Sequence, residues 1–204
     1  MPSYKLYYFN AKGIGEFLRY LFALGQTDYE DKRFGNELKW EDFKLTAPFG
    51  KSPFLEIDGE KFGQSVSIAR YLANAFNLAG KNDLERLKAD GIVDCIHKDI
   101  ISKFWILHFE KDEEKKAVIQ KEMVENTIQI YEKLEDQVSG ENTFLASGMS
   151  WADVALYNFH SDLYGDRFEA IDLTSRPKLK NIIANVSANE HIQKWISKRP
   201  ITEA

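Results

Sequence analysis

The apolar positions of this chain change period partway along it. Lys5-Leu6-Tyr7-Tyr8-Phe9 is an aromatic-rich, strand-like run followed by the breakers Asn10, Gly13 and Gly15. From Glu16 to Leu24, five large apolar residues recur at helical spacing, and Gly25 marks the end. Asp28 to Phe34 predicts a second strand, weakened by its many charges. Pro53 opens a third, Phe54-Leu55-Glu56-Ile57. The Asp58-Gly59 pair then predicts a tight hairpin turn, with Glu60 to Phe62 as the returning strand. Ser65 to Phe76 carries Ile68, Tyr71, Leu72 and Phe76 on one helical stripe. Beyond Leu78-Ala79-Gly80-Lys81-Asn82 the strand signals stop.

From Asp83 onward the periodicity is helical. Long helices are predicted over Leu87 to Phe109 and Glu113 to Val138, and shorter ones over Pro177 to Ser187 and His191 to Lys198. Ser150-Trp151-Ala152-Asp153 has the form of a capping box, with Met149 and Val154 as its hydrophobic staple. The element order implies a βαβ unit, then an antiparallel hairpin with a covering helix. The expected fold is therefore an α/β N-terminal domain of thioredoxin-like kind over residues 1–79, with a mixed four-stranded sheet. An all-α C-terminal domain follows over residues 80–204.

Composition narrows the classes. The chain has 204 residues, of which 44% are hydrophobic, enough for a real core. A net charge of -5 argues against nucleic acid as a partner. The single cysteine, Cys95, cannot form an internal disulfide, which points to a reducing, cytoplasmic setting. No apolar run is long enough to cross a membrane, and the first residues lack a secretory signature.

In open α/β sheets, ligands bind beyond the carboxyl ends of the strands. That rule brings together Tyr8 with the loop after it, the segment before Pro53, and the helix start at Ser65. Taken singly, each is also an ordinary structural residue. Tyr8 could be a sheet-packing aromatic, Ser65 a plain helix N-cap with Gln64 beside it, and Ser52-Pro53 a strand opening. Trp40, Lys44 and Lys51 lie on the connecting segment, where a solvated loop is the simpler account. His97, His108, His160 and His191 show no metal spacing and are expected to be structural or surface residues. Cys95 is expected buried and inert, and the charge run Glu110 to Lys116 a solvated turn.

Several ordered motifs resemble one family. They are Tyr4-Lys5-Leu6-x-Tyr8-Phe9, Pro48-Phe49-Gly50-Lys51-x-Pro53, Leu55-Glu56-Ile57-Asp58-Gly59 and Gln64-Ser65-x-x-Ile68-x-Arg70-Tyr71-Leu72. The likeness continues through Leu78-Ala79-Gly80, Ile92-Val93-Asp94, Ser150-Trp151-Ala152-Asp153 and Lys198-Arg199-Pro200. Together they resemble the cytosolic glutathione transferases, most of all the sigma class that includes haematopoietic-type prostaglandin D synthases.

The resemblance implies that Tyr8 hydrogen-bonds the sulfur of glutathione, the co-substrate. Pro53 would be cis and present the Ser52 backbone to the cysteinyl part. Gln64 and Ser65 would take the γ-glutamyl end, and Trp40, Lys44 and Lys51 the glycyl carboxylate. A second site for a small hydrophobic electrophile would be lined by Phe9, Gly13, Ile14 and Trp105. The implied activity is conjugation of the thiolate to such electrophiles, with peroxidase activity as an extension. Prostaglandin-H2 isomerisation, or a weakly active crystallin-like binding role, are the alternatives. The resemblance also implies a homodimer.

Two departures stand out. Relatives with synthase activity carry an arginine where Ile14 stands. Their acidic metal-binding residues are matched by Asp94 but replaced by His97 and Lys98, so no metal is expected. The acidic residue that reaches glutathione across the dimer is Lys98 here, and Asp99 is no assured substitute.

Overall fold

The computed structural model describes residues 2–35, 38–164 and 172–202. Its sheet contains β1 (Tyr4–Phe9), β2 (Glu30–Phe34), β3 (Phe54–Ile57) and β4 (Glu60–Gly63) in the order β2-β1-β3-β4. β1 runs parallel to β2 across the crossover helix α1 (Gly13–Leu24), while β3 and β4 are antiparallel. This is the expected mixed sheet. β2 is an edge strand whose charges pair along it, Lys32 with Glu30 at 2.7 Å and Arg33 with Asp31 at 2.8 Å. Edge position explains why so polar a run is tolerated as a strand.

Strand alternation sorts the tyrosines of β1. Tyr7 packs with Phe34 and Phe54 on one face, under Trp40 and Phe43. Those two belong to α2 (Trp40–Phe43), a four-residue helix in a segment expected to be loop. Leu6 and Leu55 face the other way, toward α1 and α3 (Ser65–Ala75). Tyr8 shares that second face, against the start of α1.

The helical part begins with α4 (Asp83–Asp94), capped by Asn82, whose side chain accepts from the Glu85 N–H at 3.0 Å. It passes through a π-helical stretch at Cys95–Ile101 into α5 (Ser102–Phe109), so the expected single helix starts earlier and is interrupted. The following charge run is only partly a turn. Asp112 accepts from the Glu114 and Lys115 N–H groups and caps α6 (Glu113–Gln137).

α7 (Trp151–Asn158) is buried on every side, as its apolar sequence requires. The capping box is formed: Asp153 accepts from the Ser150 N–H at 2.7 Å and also from the Phe144 N–H at 2.8 Å. α8 (Pro177–Ala188) and α9 (Glu190–Lys198) complete the chain. One apolar core runs from Leu6 and Phe17 through Val93 to Trp151 and Ile182. Among the described residues no helix is long and apolar enough to cross a membrane.

Candidate active site

Tyr8, next to last in β1, sits in a slot that two glycines make possible. A β-carbon on Gly13 would fall 2.5 Å from Tyr8 Oη, and one on Gly15 would fall 2.2 Å from Tyr8 Cδ1. Gly13 also adopts φ +46°, which side-chain-bearing residues rarely take. The Ile14 backbone amide favours the charged form of the Tyr8 hydroxyl. The Arg19 guanidinium stands 5.8 Å from the ring centroid. Burial pushes the Tyr8 phenol up to about 12, with Arg19 and the Ile14 amide pulling the other way. At neutral pH the phenol therefore keeps its proton and can donate it in a hydrogen bond.

The sequence-distant pieces meet beside this hydroxyl. A cleft of about 490 Å³ is lined on one side by Tyr8, Lys51, Ser52, Pro53, Gln64 and Ser65. Its other side is apolar: Phe9, Ile14, Trp105 and Phe109. The Ser52–Pro53 bond is cis. Ser52 Oγ donates to the Tyr7 carbonyl at 3.3 Å, and the Ser52 N–H and C=O carry no backbone hydrogen bond among the described residues. Those two groups are free to pair with an extended peptide.

Gln64, not Ser65, holds the N-cap position of α3, and it does so at φ 71° with no side-chain cap. A non-glycine residue held in that region costs about 1 kcal/mol or more and persists where the surroundings demand it. Gln64 and Ser65, at the start of α3, both line the cleft.

Trp40 and Lys44 do not line the cleft. The Trp40 indole packs edge-on to Phe34 at 5.2 Å and tilted against Phe9 at 5.9 Å, and Lys44 is exposed on the end of α2. Gly13 lies behind Tyr8 rather than in the cleft wall, and its carbonyl accepts from Asn158 Nδ2 at 3.3 Å.

The cleft continues past Gln64 and Ser65 into a space of about 680 Å³ walled by Arg70, Asp94, His97 and Lys98. Sequence reasoning named Trp105 for the second site, and Asp94, His97 and Lys98 only against the family's metal-binding residues. It missed Arg70 and Ile101, although Asp94, Lys98, Ile101 and Trp105 recur at near-helical spacing. Asp94 is already held by Lys98 at 2.5 Å and by Arg70 at 3.8 Å. Among the described residues no group of three or more His, Cys, Asp or Glu side chains is placed to hold a metal ion. A carboxylate shared by two cations does not fit the oxygen set of a divalent cation.

His97 is half-buried, but its Nε2 is sealed without a partner and burial pulls the imidazole down to about 4. It is thus neutral at pH 7, and it borders the cleft rather than the outer surface. Cys95 is half-buried rather than fully buried as expected, and burial and then Asp99 push its thiol up to about 11, which leaves it protonated at neutral pH.

Sheet, helical bundle and intervening cleft together describe a thioredoxin-like unit joined to an α-helical one. The family description of the glutathione S-transferase N-terminal domain matches residues 4–74, and that of the C-terminal domain matches residues 98–199. Glutathione S-transferase S1 of Drosophila melanogaster is 38% identical over 203 residues, spanning 98% of this chain and 80% of its own. Hematopoietic prostaglandin D synthase of Homo sapiens is 34% identical over 211 residues, spanning 100% of both. The crystal structure of a major C. elegans-specific GST superposes with a TM-score of 0.86 at 33% identity, covering 100% of both chains. The chain belongs to the glutathione S-transferase family.

Proposed function

We propose that this chain is a glutathione transferase in which the Tyr8 hydroxyl holds the glutathione sulfur as a thiolate for attack on an apolar electrophile. The observation that carries this is a protonated, buried phenol opening on a cleft that is polar on one side and apolar on the other. On this reading the Ser52 backbone beside cis Pro53 pairs with the cysteinyl part, and Gln64, Ser65 and the first amides of α3 take the γ-glutamyl carboxylate. Lys51 is the cation lining the cleft for the glycyl carboxylate. Trp40 and Lys44 would have to move to join it when the tripeptide binds, since neither lines the cleft. Phe9, Ile14 and Trp105, with Gly13 behind Tyr8, shape the electrophile site.

A free thiol near 8.5 is only about 3% ionised at pH 7, and lowering it by about two units takes about 2.7 kcal/mol. One hydrogen bond to a charged group supplies about 1.5–3 kcal/mol. A single donor is therefore nearly sufficient, and a phenol near 12 cannot serve as the base instead. The deciding experiment compares wild type with Tyr8→Phe in glutathione conjugation and in absorbance titration of bound glutathione. Turnover should fall about 10- to 150-fold, with tripeptide binding kept and the bound thiol returned toward its solution value. Equal rates and equal titrations would refute the role given to Tyr8.

The same reading divides the chain into a glutathione-binding unit over residues 1–79 and a helical unit over residues 80–204. It places the chain in the sigma class, in the cytoplasm, working without a metal and as a homodimer. Phe49, 74% exposed, stands beside an apolar groove formed with Ile57, Phe62 and Tyr71, and an open patch of that kind suits a second subunit. The synthase relatives raise isomerisation of a prostanoid endoperoxide as a second reading. Ile14 supplies no cation beside the sulfur, which weighs against it, and product analysis with an endoperoxide separates the two.

A further inference from the structure

A line of buried charges runs from the C-terminal helix to the back of the Tyr8 ring. Arg19 is fully buried on α1. Its guanidinium donates to Glu16 Oε2 at 3.0 Å, to the Ala11 carbonyl at 2.8 Å and to Asp31 Oδ1 at 3.2 Å. Glu16, equally buried, also accepts from Trp195 Nε1 at 2.6 Å and from Arg199 at 2.8 Å. Arg199 reaches on to Asp162 at 3.3 Å, and Arg33 backs Asp31 at 2.8 Å. Among the described residues Arg19 is the one charged group acting on the Tyr8 phenol.

Burying such a network costs desolvation that apolar side chains of similar volume would avoid. Its position offers a reason for it. A cation fixed beside a phenol in a low-dielectric site makes the O–H a stronger donor, and the carboxylates behind it prevent it from swinging away.

Building on the role proposed for Tyr8, we propose that Arg19 is a positioning residue for the transfer reaction: its buried guanidinium, anchored by Glu16 and Asp31, seats the Tyr8 ring and strengthens the hydroxyl that stabilises the bound thiolate. Asp31, at the sheet edge, partly offsets the guanidinium charge. Removing Arg19 and removing Asp31 should therefore act in opposite directions on the bound thiol, whereas damage to packing would act in one direction only.

The test titrates glutathione bound to the full-length wild type and to Arg19→Met, Arg19→Lys, Asp31→Asn and Tyr8→Phe, with kcat and KM measured in parallel. Arg19→Met should raise the pKa of the bound thiol by about 0.5–1 and lower kcat about 3- to 10-fold, with KM for glutathione little changed. Arg19→Lys should recover part of that loss, and Asp31→Asn should shift the thiol pKa downward. Shifts in the same direction for Arg19→Met and Asp31→Asn would overturn the proposal. So would no shift in either while Tyr8→Phe still raises the thiol pKa, an outcome that spares the role of Tyr8. An unshifted titration in Tyr8→Phe would overturn both. Should Arg19→Met fail to fold, Asp31→Asn carries the test alone, and absence of a downward shift refutes the proposal.

Discussion

Gly13→Ala perturbs the seating of Tyr8 while leaving the Tyr8 side chain itself intact. The new β-carbon would lie 2.5 Å from Tyr8 Oη and 3.2 Å from both Cε1 and Cζ. Non-bonded carbon and oxygen settle at about 3.5 Å, so the hydroxyl must retreat by about 1 Å. A donor displaced that far leaves the hydrogen-bonding range, and most of the about 1.5–3 kcal/mol it contributes to a thiolate is lost. The substitution also leaves alanine at φ 46°, which costs about 1 kcal/mol of stability.

Gly59→Ala provides the control. Gly59 sits at φ 91° with nothing within 4 Å of its would-be β-carbon, so it carries backbone strain without a clash. Both variants should melt at lower temperature. Only Gly13→Ala should lose about 10- to 100-fold in kcat/KM, with a bound thiol pKa higher by about 1–2. Wild-type turnover and titration in folded Gly13→Ala would show that the position of the Tyr8 hydroxyl does not govern sulfur ionisation.

Two further outcomes are expected. Burial holds His97 near 4 against an ordinary 6.5, so between those values the unfolded chain binds a proton that the folded chain does not. Stability should then fall with pH across that window, by about 2 kcal/mol between about pH 7 and about pH 4.5. Chemical unfolding of His97→Gln should show a shallower loss, and parallel curves for the two proteins would refute this assignment. For the subunit interface, sedimentation should give twice the monomer mass for wild type and a single monomer mass for Phe49→Ser. A monomeric wild type, or an undisturbed dimer in the variant, would remove Phe49 and its groove from the interface.

Much of the architecture could be read from neighbours in the chain. The aromatic run ending at Phe9, the Asp58-Gly59 turn and the Ser150-to-Asp153 cap each depend on contacts within a few residues, and each formed where expected. Alternation along β1 likewise showed that Tyr7 and Tyr8 face opposite ways. By contrast, α2 spans only four residues, too few for a periodic signal, and the π-helical stretch at Cys95–Ile101 looks like ordinary helix in sequence. For His97 the sequence left structural and surface roles open, because nothing nearby in the chain shows which face of its helix borders the cleft.

Local pattern thus established the order of the elements, the faces of the strands and the turns between them, since backbone preference and side-chain periodicity act over one or two turns. The environment of the reacting groups came from the packing of distant segments. Glu16 and Arg19 look like the solvent-facing positions of an amphipathic helix, yet Trp195, 179 residues away, closes over Glu16. The raised pKa of Tyr8 and the sealing of His97 both follow from exclusion of water, and water is excluded only once those segments pack together.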